Sequence, residues 1–172
     1  MSRMVLSLLV DNIPGVLSRV TGLFSRRGYN IDSLTVGVTE NPLLSRMTVS
    51  VTGDNPVLEQ ISNQLLKLED VREITKLTDD GSVCRELVLV KVNATAKERP
   101  EIITVADSFR AKIVDISTSS MMIELTGNQA KIDAFIRLLE GYEITELVRT
   151  GITGLCRGIV DEEKNVTQIQ AV

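Results

Sequence analysis

The spacing of apolar residues changes repeatedly along the first half of the chain. Short runs that are apolar or alternate with polar residues are typical of strands, and stripes with three- and four-residue spacing are typical of helices. The predicted elements are, in order, strand, helix, strand, strand, helix and strand, at 5–10, 15–27, 34–38, 47–51, 55–68 and 71–77. Gly28 follows the first helix, where glycine commonly ends helices, and Asp54 precedes the second, where Asp is a good N-cap. The pattern therefore predicts the order βαββαβ.

The second half of the chain repeats this order. Its predicted elements lie at 87–92, 98–111, 113–117, 121–125, 128–139 and 144–149. The two halves also match locally, since VTGD at 51–54 corresponds to LTGN at 125–128 ahead of each half's second helix. We interpret the chain as α+β, two tandem ferredoxin-like βαββαβ sandwiches. The alternative is a single larger α/β domain.

The polar run around 78–82 is the natural boundary between the halves. It predicts a first domain at 1–78, a linker at 79–83 and a second domain at 84–158. The remaining stretch, 159–172, is polar and has no clear period, so we expect a mobile tail there.

Composition excludes most catalytic chemistry. The chain has no histidine, which removes His-based acid–base catalysis, Ser-His and Cys-His nucleophile pairs and most catalytic zinc sites. Cys84 and Cys156 are too few and too far apart for a disulfide framework, and free thiols are the simpler interpretation. The acidic residues show no metal-binding or paired acid–base spacing, and no phosphate-binding glycine motif occurs. The sequence predicts no catalytic residue and no metal site.

The formal net charge is −4, and no dense run of Lys or Arg occurs. This argues against binding to nucleic acid or to an anionic membrane surface. No apolar stretch approaches the roughly 20 residues that a membrane-spanning helix needs, and the N-terminus lacks a signal-peptide cleavage site. We expect a cytoplasmic protein.

The junction at 12–15, NIPG, is the candidate binding site. Pro14 suits the first position of a helix, and Gly15 lets a ligand approach the backbone closely. The unpaired N–H groups and the dipole of the following helix would attract a carboxylate, and Asn12 could reach it. A plain capped turn is the alternative. Asn30, just before the second strand, fits a turn residue, and the arginines Arg26, Arg27, Arg46 and Arg72 fit solvated charges.

Four segments together resemble the bacterial regulatory (small) subunit of acetohydroxyacid synthase, also called acetolactate synthase. They are NIPGVLSRV at 12–20, GLFSRRGYNI at 22–31, SLTV at 33–36 and SRMT at 45–48. The similarity continues more loosely through REL at 85–87, FRA at 109–111, RTG at 149–151, Gly154 and RG at 157–158. It covers nearly the whole chain.

The resemblance implies an N-terminal ACT domain that dimerises and binds an effector. It implies no activity of the chain itself, but activation of a catalytic subunit and feedback inhibition by valine, with leucine or isoleucine as alternative effectors. Thiamine diphosphate, magnesium and FAD would belong to that catalytic partner. The implied effector contacts are Asn12, Ile13, Pro14, Gly15, Val16 and Leu17 from one subunit, with Asn30 and Ile31 from the other.

Three questions stay open at this stage. Gly37 stands where the resemblance leads us to expect alanine or another small residue, which bears on effector affinity. The catalytic subunit could contact either the polar outer face of the first sheet or the second domain. Two other functions remain, a free-standing ACT-type sensor with a different partner and a ferredoxin-like enzyme; the absence of histidine weighs against the latter.

Overall fold

The computed structural model describes residues 2–158, and its first half has the predicted order of elements. They are β1 (Ser2–Asp11), α1 (Val16–Arg26), β2 (Ser33–Val38), β3 (Leu44–Gly53), α2 (Asn55–Leu65) and β4 (Val71–Leu77). The four strands form an antiparallel sheet in the order β2-β3-β1-β4, so β2 and β4 are its edges.

The second half repeats this arrangement with one addition. Its elements are β5 (Ser82–Asn93), α3 (Arg99–Ser108), β6 (Lys112–Ile116), β7 (Ser120–Gly127), α4 (Gln129–Leu139), β8 (Ile144–Arg149) and β9 (Thr153–Cys156). The sheet order β6-β7-β5-β8 matches that of the first half, and β9 pairs with β5. The tandem α+β prediction is confirmed, while β9 was not predicted.

Each half has its own hydrophobic core between its sheet and its two helices. In the first, cross-strand neighbours such as Leu6 and Val49 point from the sheet toward Phe24 and Ile61 on the helices, and all four are buried. In the second, Phe135 of α4 is fully buried among the strand residues. Each such side chain contributes roughly 1.5–3 kcal/mol of burial free energy, so every layer is anchored by its apolar face.

Helices α1 and α3 end in the same hydrogen-bonded motif but with different residues in its left-handed position. After α1, Gly28 has φ +70° and donates its N–H to the Ser25 carbonyl, while Tyr29 donates to Phe24. These two bonds form a Schellman motif, as predicted for Gly28. The same pair of bonds follows α3, but there Arg110 holds φ +55°. The second half therefore carries a backbone conformation that suits glycine better.

The chain divides into two compact units. Among the described residues, one comprises 2–84 together with 152–158, and the other comprises Arg85–Gly151. Strand β5 begins at Ser82, inside the stretch predicted as a linker. Residues 152–158, predicted to be in the second domain, belong with the first unit, and β9 within them packs against strands β3 and β4.

The predicted mobile tail, 159–172, lies outside the described residues. Within the described part of the chain, no helix is long and apolar enough to cross a membrane.

Candidate functional site

The turn between β1 and α1 is built around a left-handed glycine. Gly15 is the N-cap of α1, with φ +88° and ψ −11°, and the helix begins at Val16. Pro14 therefore lies before the N-cap, and the prediction that it occupies the first helical position is wrong. The reason is local: a residue with a positive φ cannot be part of a right-handed helix, so the helix cannot start before Gly15.

Asn12 ties this turn to the turn between β2 and β3. Its backbone N–H donates to the Leu43 carbonyl at 2.8 Å, and its side-chain Nδ2 donates to the Pro42 carbonyl at 2.9 Å. The Nδ2 group of Asn12 therefore already has an acceptor within the chain. Its first role is to hold residues 41–43 beside the start of α1.

The start of α1 is electropositive. No side chain caps Gly15, and the first turn contains no acidic residue. The first N–H groups of a helix have no intrahelical acceptor, so this end of the dipole is not compensated. The Arg19 guanidinium, which is paired with Asp70, also lies there, since a Cβ built on Gly15 would lie 2.8 Å from the Arg19 Nη1 atom. An anion placed at Gly15 would meet both the helix end and this guanidinium.

Two ion pairs link β1 and α1 to residues at the start of β4. The Arg19 Nε lies 2.5 Å from an Asp70 carboxylate oxygen, and Arg72 makes a two-pronged contact with Asp11 at 2.7 and 2.5 Å. The hydrogen bond from Arg72 lowers the pKa of Asp11. Arg72, predicted to be a solvated charge, is therefore an ion-pair partner. Sequence reasoning missed Arg19, although its position four residues after Gly15 places it one helical turn away on the same face.

Exposed apolar side chains surround the helix start. We call Ile13, Leu17, Val36, Val38 and Leu43 the apolar patch; their exposed fractions run from 44% for Leu17 to 74% for Leu43. The patch joins the helix start to the edge strand β2 and the turn after it. Such a cluster of exposed large side chains commonly marks a binding surface.

Val16 and Ile31 differ from the rest of the predicted contacts. The side chain of Val16 is buried, so only its backbone can face a ligand. Ile31 is half-buried against the first core, whereas Asn30, Pro14 and Gly15 are exposed. The predicted contacts thus combine backbone groups with a few exposed side chains.

A single chain does not bring the two predicted half-sites together. Strand β2 begins at Ser33, which pairs with Ser50, opposite Val5 at the beginning of β1. Its other end, Val38, pairs with Ser45, opposite Val10 at the end of β1. Asn30 precedes the first of these ends and Asn12 follows the second. The half-sites therefore lie at opposite ends of the sheet, at least the length of β2 apart.

The first unit has a sizeable groove elsewhere. It has a volume of about 550 Å³ and lies between α2 and the strands β1 and β4, with Met4, Leu58 and Ile74 among its walls. None of the predicted contact residues lines this groove. The start of α1 is thus an open surface rather than part of this groove.

The corresponding turn of the second unit contains a carboxylate. Ala94 donates its N–H to Ser119 as Asn12 does to Leu43, which aligns the two turns. There the Glu98 carboxylate accepts hydrogen bonds from the Thr95 hydroxyl at 2.6 Å and the Thr95 N–H at 2.8 Å. These bonds lower the pKa of Glu98. The second unit therefore holds a carboxylate of its own at this turn, bound to Thr95 and not to the first N–H groups of α3.

The acidic side chains and the two cysteines are the candidate metal ligands and disulfide partners in the described part of the chain. Among residues 2–158, no group of three or more Cys, Asp and Glu side chains could hold a metal ion. Cys84 is partly buried, Cys156 is exposed, and neither forms a disulfide.

Comparisons with known proteins cover both units. A family model described as an AHAS small subunit-like ACT domain matches residues 6–73. A second model, described as the small subunit of acetolactate synthase, matches residues 85–158. Each model therefore falls on one of the two repeats.

Whole-chain relatives agree with this. The chain is 50% identical to a probable acetolactate synthase small subunit of Archaeoglobus fulgidus, over 89% of this chain and 96% of the relative. It is 47% identical to the acetolactate synthase small subunit of Haemophilus influenzae, over 95% and 99% of the two chains. The crystal structure of the acetolactate synthase small subunit from Thermotoga maritima superposes with a TM-score of 0.85 at 41% identity, covering 93% of this chain and 100% of that one. The chain belongs to the acetolactate synthase small-subunit family.

Proposed function

We propose that this chain is the non-catalytic regulatory subunit of a cytoplasmic acetohydroxyacid synthase, which activates the catalytic subunit and confers feedback inhibition by valine. One observation carries the proposal: an uncapped, electropositive helix start at Gly15 lies beside the apolar patch. An α-amino acid with a branched side chain has the matching chemistry, a carboxylate next to a small apolar group. Membership of the small-subunit family gives the catalytic partner.

The effector's carboxylate would accept hydrogen bonds from the first-turn N–H groups of α1, close to the Arg19 guanidinium. Its side chain would lie against Ile13 and Leu17, which are exposed on either side of Gly15. Its ammonium group would bind carbonyl oxygens or the side-chain amide of Asn30 from a second subunit. Leucine and isoleucine share these groups and differ from valine by one methylene, which apolar pockets discriminate only modestly.

Dimerisation through β2 would complete the site. Strand β2 is an edge of the first sheet, so an antiparallel copy can pair with it and extend the sheet. A twofold axis between Thr35 and Val36 would set Ser33 of one protomer opposite Val38 of its partner. Asn30 would then approach the turn that Asn12 holds. This arrangement supports a homodimer with an effector at its interface.

Catalysis belongs to the partner in this proposal. Thiamine diphosphate, magnesium and FAD would be bound by the catalytic subunit, as the family resemblance implies. Of the two predicted surfaces for that subunit, the polar face of the first sheet is unsuitable, because Ser7, Thr48 and Ser50 on it are buried. The second unit presents exposed apolar residues, among them Val114 and Val148, and we assign the contact to it.

Acetolactate formation by the catalytic subunit tests the proposal when this chain is added and valine is titrated. The chain should raise the activity, and valine should then lower it. Replacement Gly15→Asp should abolish inhibition while activation persists, because the new carboxylate occupies the effector's position and its Cβ crowds Arg19 at a left-handed φ. Gly141→Asp is the matched control, since it adds the same charge where a Cβ meets nothing within 4 Å.

Two outcomes would contradict the proposal. Normal valine inhibition of the Gly15→Asp variant would remove the helix start from the effector site. No change in catalytic activity on adding the chain would favour the free-standing sensor, and a pull-down that recovers no thiamine-diphosphate enzyme would support that result.

A further inference from the structure

The segment from Gly151 to Cys156 returns to the first unit and covers the sheet face that the helices leave free. Strand β9 within it lies against β3 and β4. That face is polar, with hydroxyl residues such as Ser7, Thr48 and Thr75, yet these side chains are buried. We call residues 151–156 the returning segment.

Strand β2 holds the returning segment at Ile152. The Thr35 hydroxyl donates to the Ile152 carbonyl at 3.0 Å, and the Ile152 N–H donates to the Ser33 hydroxyl at 3.3 Å. Ile152 is 6% exposed. The backbone N–H and the carbonyl of Ile152 are thus both hydrogen-bonded to side chains of the edge strand β2.

The fit is close further along the segment as well. A Cβ built on Gly154 would lie 2.7 Å from the Cys84 sulfur, 2.9 Å from a Leu77 methyl and 3.1 Å from the Val83 carbonyl oxygen. The last of these is backbone and cannot turn aside. Any side chain at Gly154 must therefore displace the returning segment or the strands beneath it.

We propose that the returning segment carries the effector signal from β2 to the second unit. This rests on the proposed function, in which an effector binds beside Asn30 and fixes the pairing of β2. Ser33 and Thr35 belong to that strand, and their side chains are hydrogen-bonded to Ile152. The chain enters the returning segment directly from β8, so a change in β2 reaches the second unit through three residues, Thr150, Gly151 and Ile152.

The proposal makes Ser33, Thr35 and Gly154 positioning residues that act through Ile152. Their loss should separate binding from inhibition. Allosteric coupling is a free energy between two sites, so it can fall while the affinity at one site stays the same. Losing one neutral hydrogen bond would reduce the coupling about fivefold.

The experiment uses the reconstituted holoenzyme with two variants, Thr35→Val and Gly154→Ala. Thr35→Val keeps the side-chain shape but removes the donor to Ile152, and Gly154→Ala displaces the segment by bulk. Calorimetry measures valine binding, and acetolactate formation with and without saturating valine measures coupling. Thr104→Val is the matched control, since its hydroxyl donates only within α3 to the Pro100 carbonyl.

The expected result is valine affinity within about twofold of the parent, with the coupling reduced about fivefold in Thr35→Val and weaker inhibition in Gly154→Ala as well. Hydrogen exchange at 150–156 should respond to valine in the parent and lose that response in the variants. Full inhibition in both variants would overturn the proposal, as would loss of valine binding together with inhibition. If the parent neither binds valine nor is inhibited, the proposed function itself has failed, and the inference falls with it.

Discussion

The buried ion pair between Glu86 and Arg149 allows a quantitative test of how the second unit is stabilised. Glu86 is 5% exposed and accepts two hydrogen bonds from Arg149, at 2.9 and 2.6 Å. Arg149 also donates to Asp133 at 2.9 Å. The hydrogen bond with Glu86 raises the pKa of Arg149, so the guanidinium is charged at every pH at which the protein would be handled.

The perturbation is Arg149→Met, which keeps the length of the side chain and removes its charge. Glu86 is then left buried without its cation, and breaking a buried pair in this way costs about 3–5 kcal/mol. The side chain of Arg149 is 31% exposed to solvent, so water already screens part of the interaction. We therefore expect a loss of about 2–3 kcal/mol, below that range.

The double variant Glu86→Leu/Arg149→Met should recover most of this loss. Replacing both charges by apolar groups of similar size is often neutral, because the desolvation cost disappears with the pair. Denaturant unfolding followed by circular dichroism gives the free energies, and hydrogen exchange of β5 and β8 assigns them to the second unit. If the double variant is no more stable than Arg149→Met, the reasoning is refuted, since the cost then comes from lost packing.

Two further predictions concern stability. Arg110→Gly should raise the free energy of unfolding by about 0.5–1 kcal/mol, because a non-glycine residue at φ +55° is strained; a decrease in the denaturation midpoint would contradict this. Asp11→Asn should lower the melting temperature at neutral pH and make less difference in acid. Since Arg72 holds the pKa of Asp11 below its usual 3.8, the pair stabilises the fold above that value and loses its effect as the pH falls through the folded-state pKa. A difference between parent and Asp11→Asn that stays constant from neutral pH to pH 3 would contradict the assignment.

Periodicity was sufficient to predict both βαββαβ units, because the helices and the central strands of each unit bury regular apolar faces against one another. It failed for β9. That strand has four residues, and Leu155 within it is exposed while Gly154 is buried. Its position depends on a close fit to Cys84 and Leu77, which are distant in sequence. No local pattern records such a contact.

The candidate site was predictable only where it depends on residues that are close together in the sequence. The uncapped glycine turn is local, so NIPG was enough to place it. Pro14 was misplaced because the left-handed φ of Gly15 makes that glycine the N-cap and Val16 the first helical residue. The apolar patch combines α1, β2 and the turn at Leu43, and only the folded sheet brings these together.

The turn that Thr95 and Glu98 close in the second unit has a consequence for the first. There Glu98 keeps a carboxylate at the turn ahead of α3, bound to Thr95 rather than to the first N–H groups of the helix. In the first unit α1 lacks that group, and under the proposed function the cell supplies it as a free amino acid. The effector's carboxylate then acts as a removable cap on α1, and the concentration of an end product decides whether the first N–H groups of that helix have an acceptor.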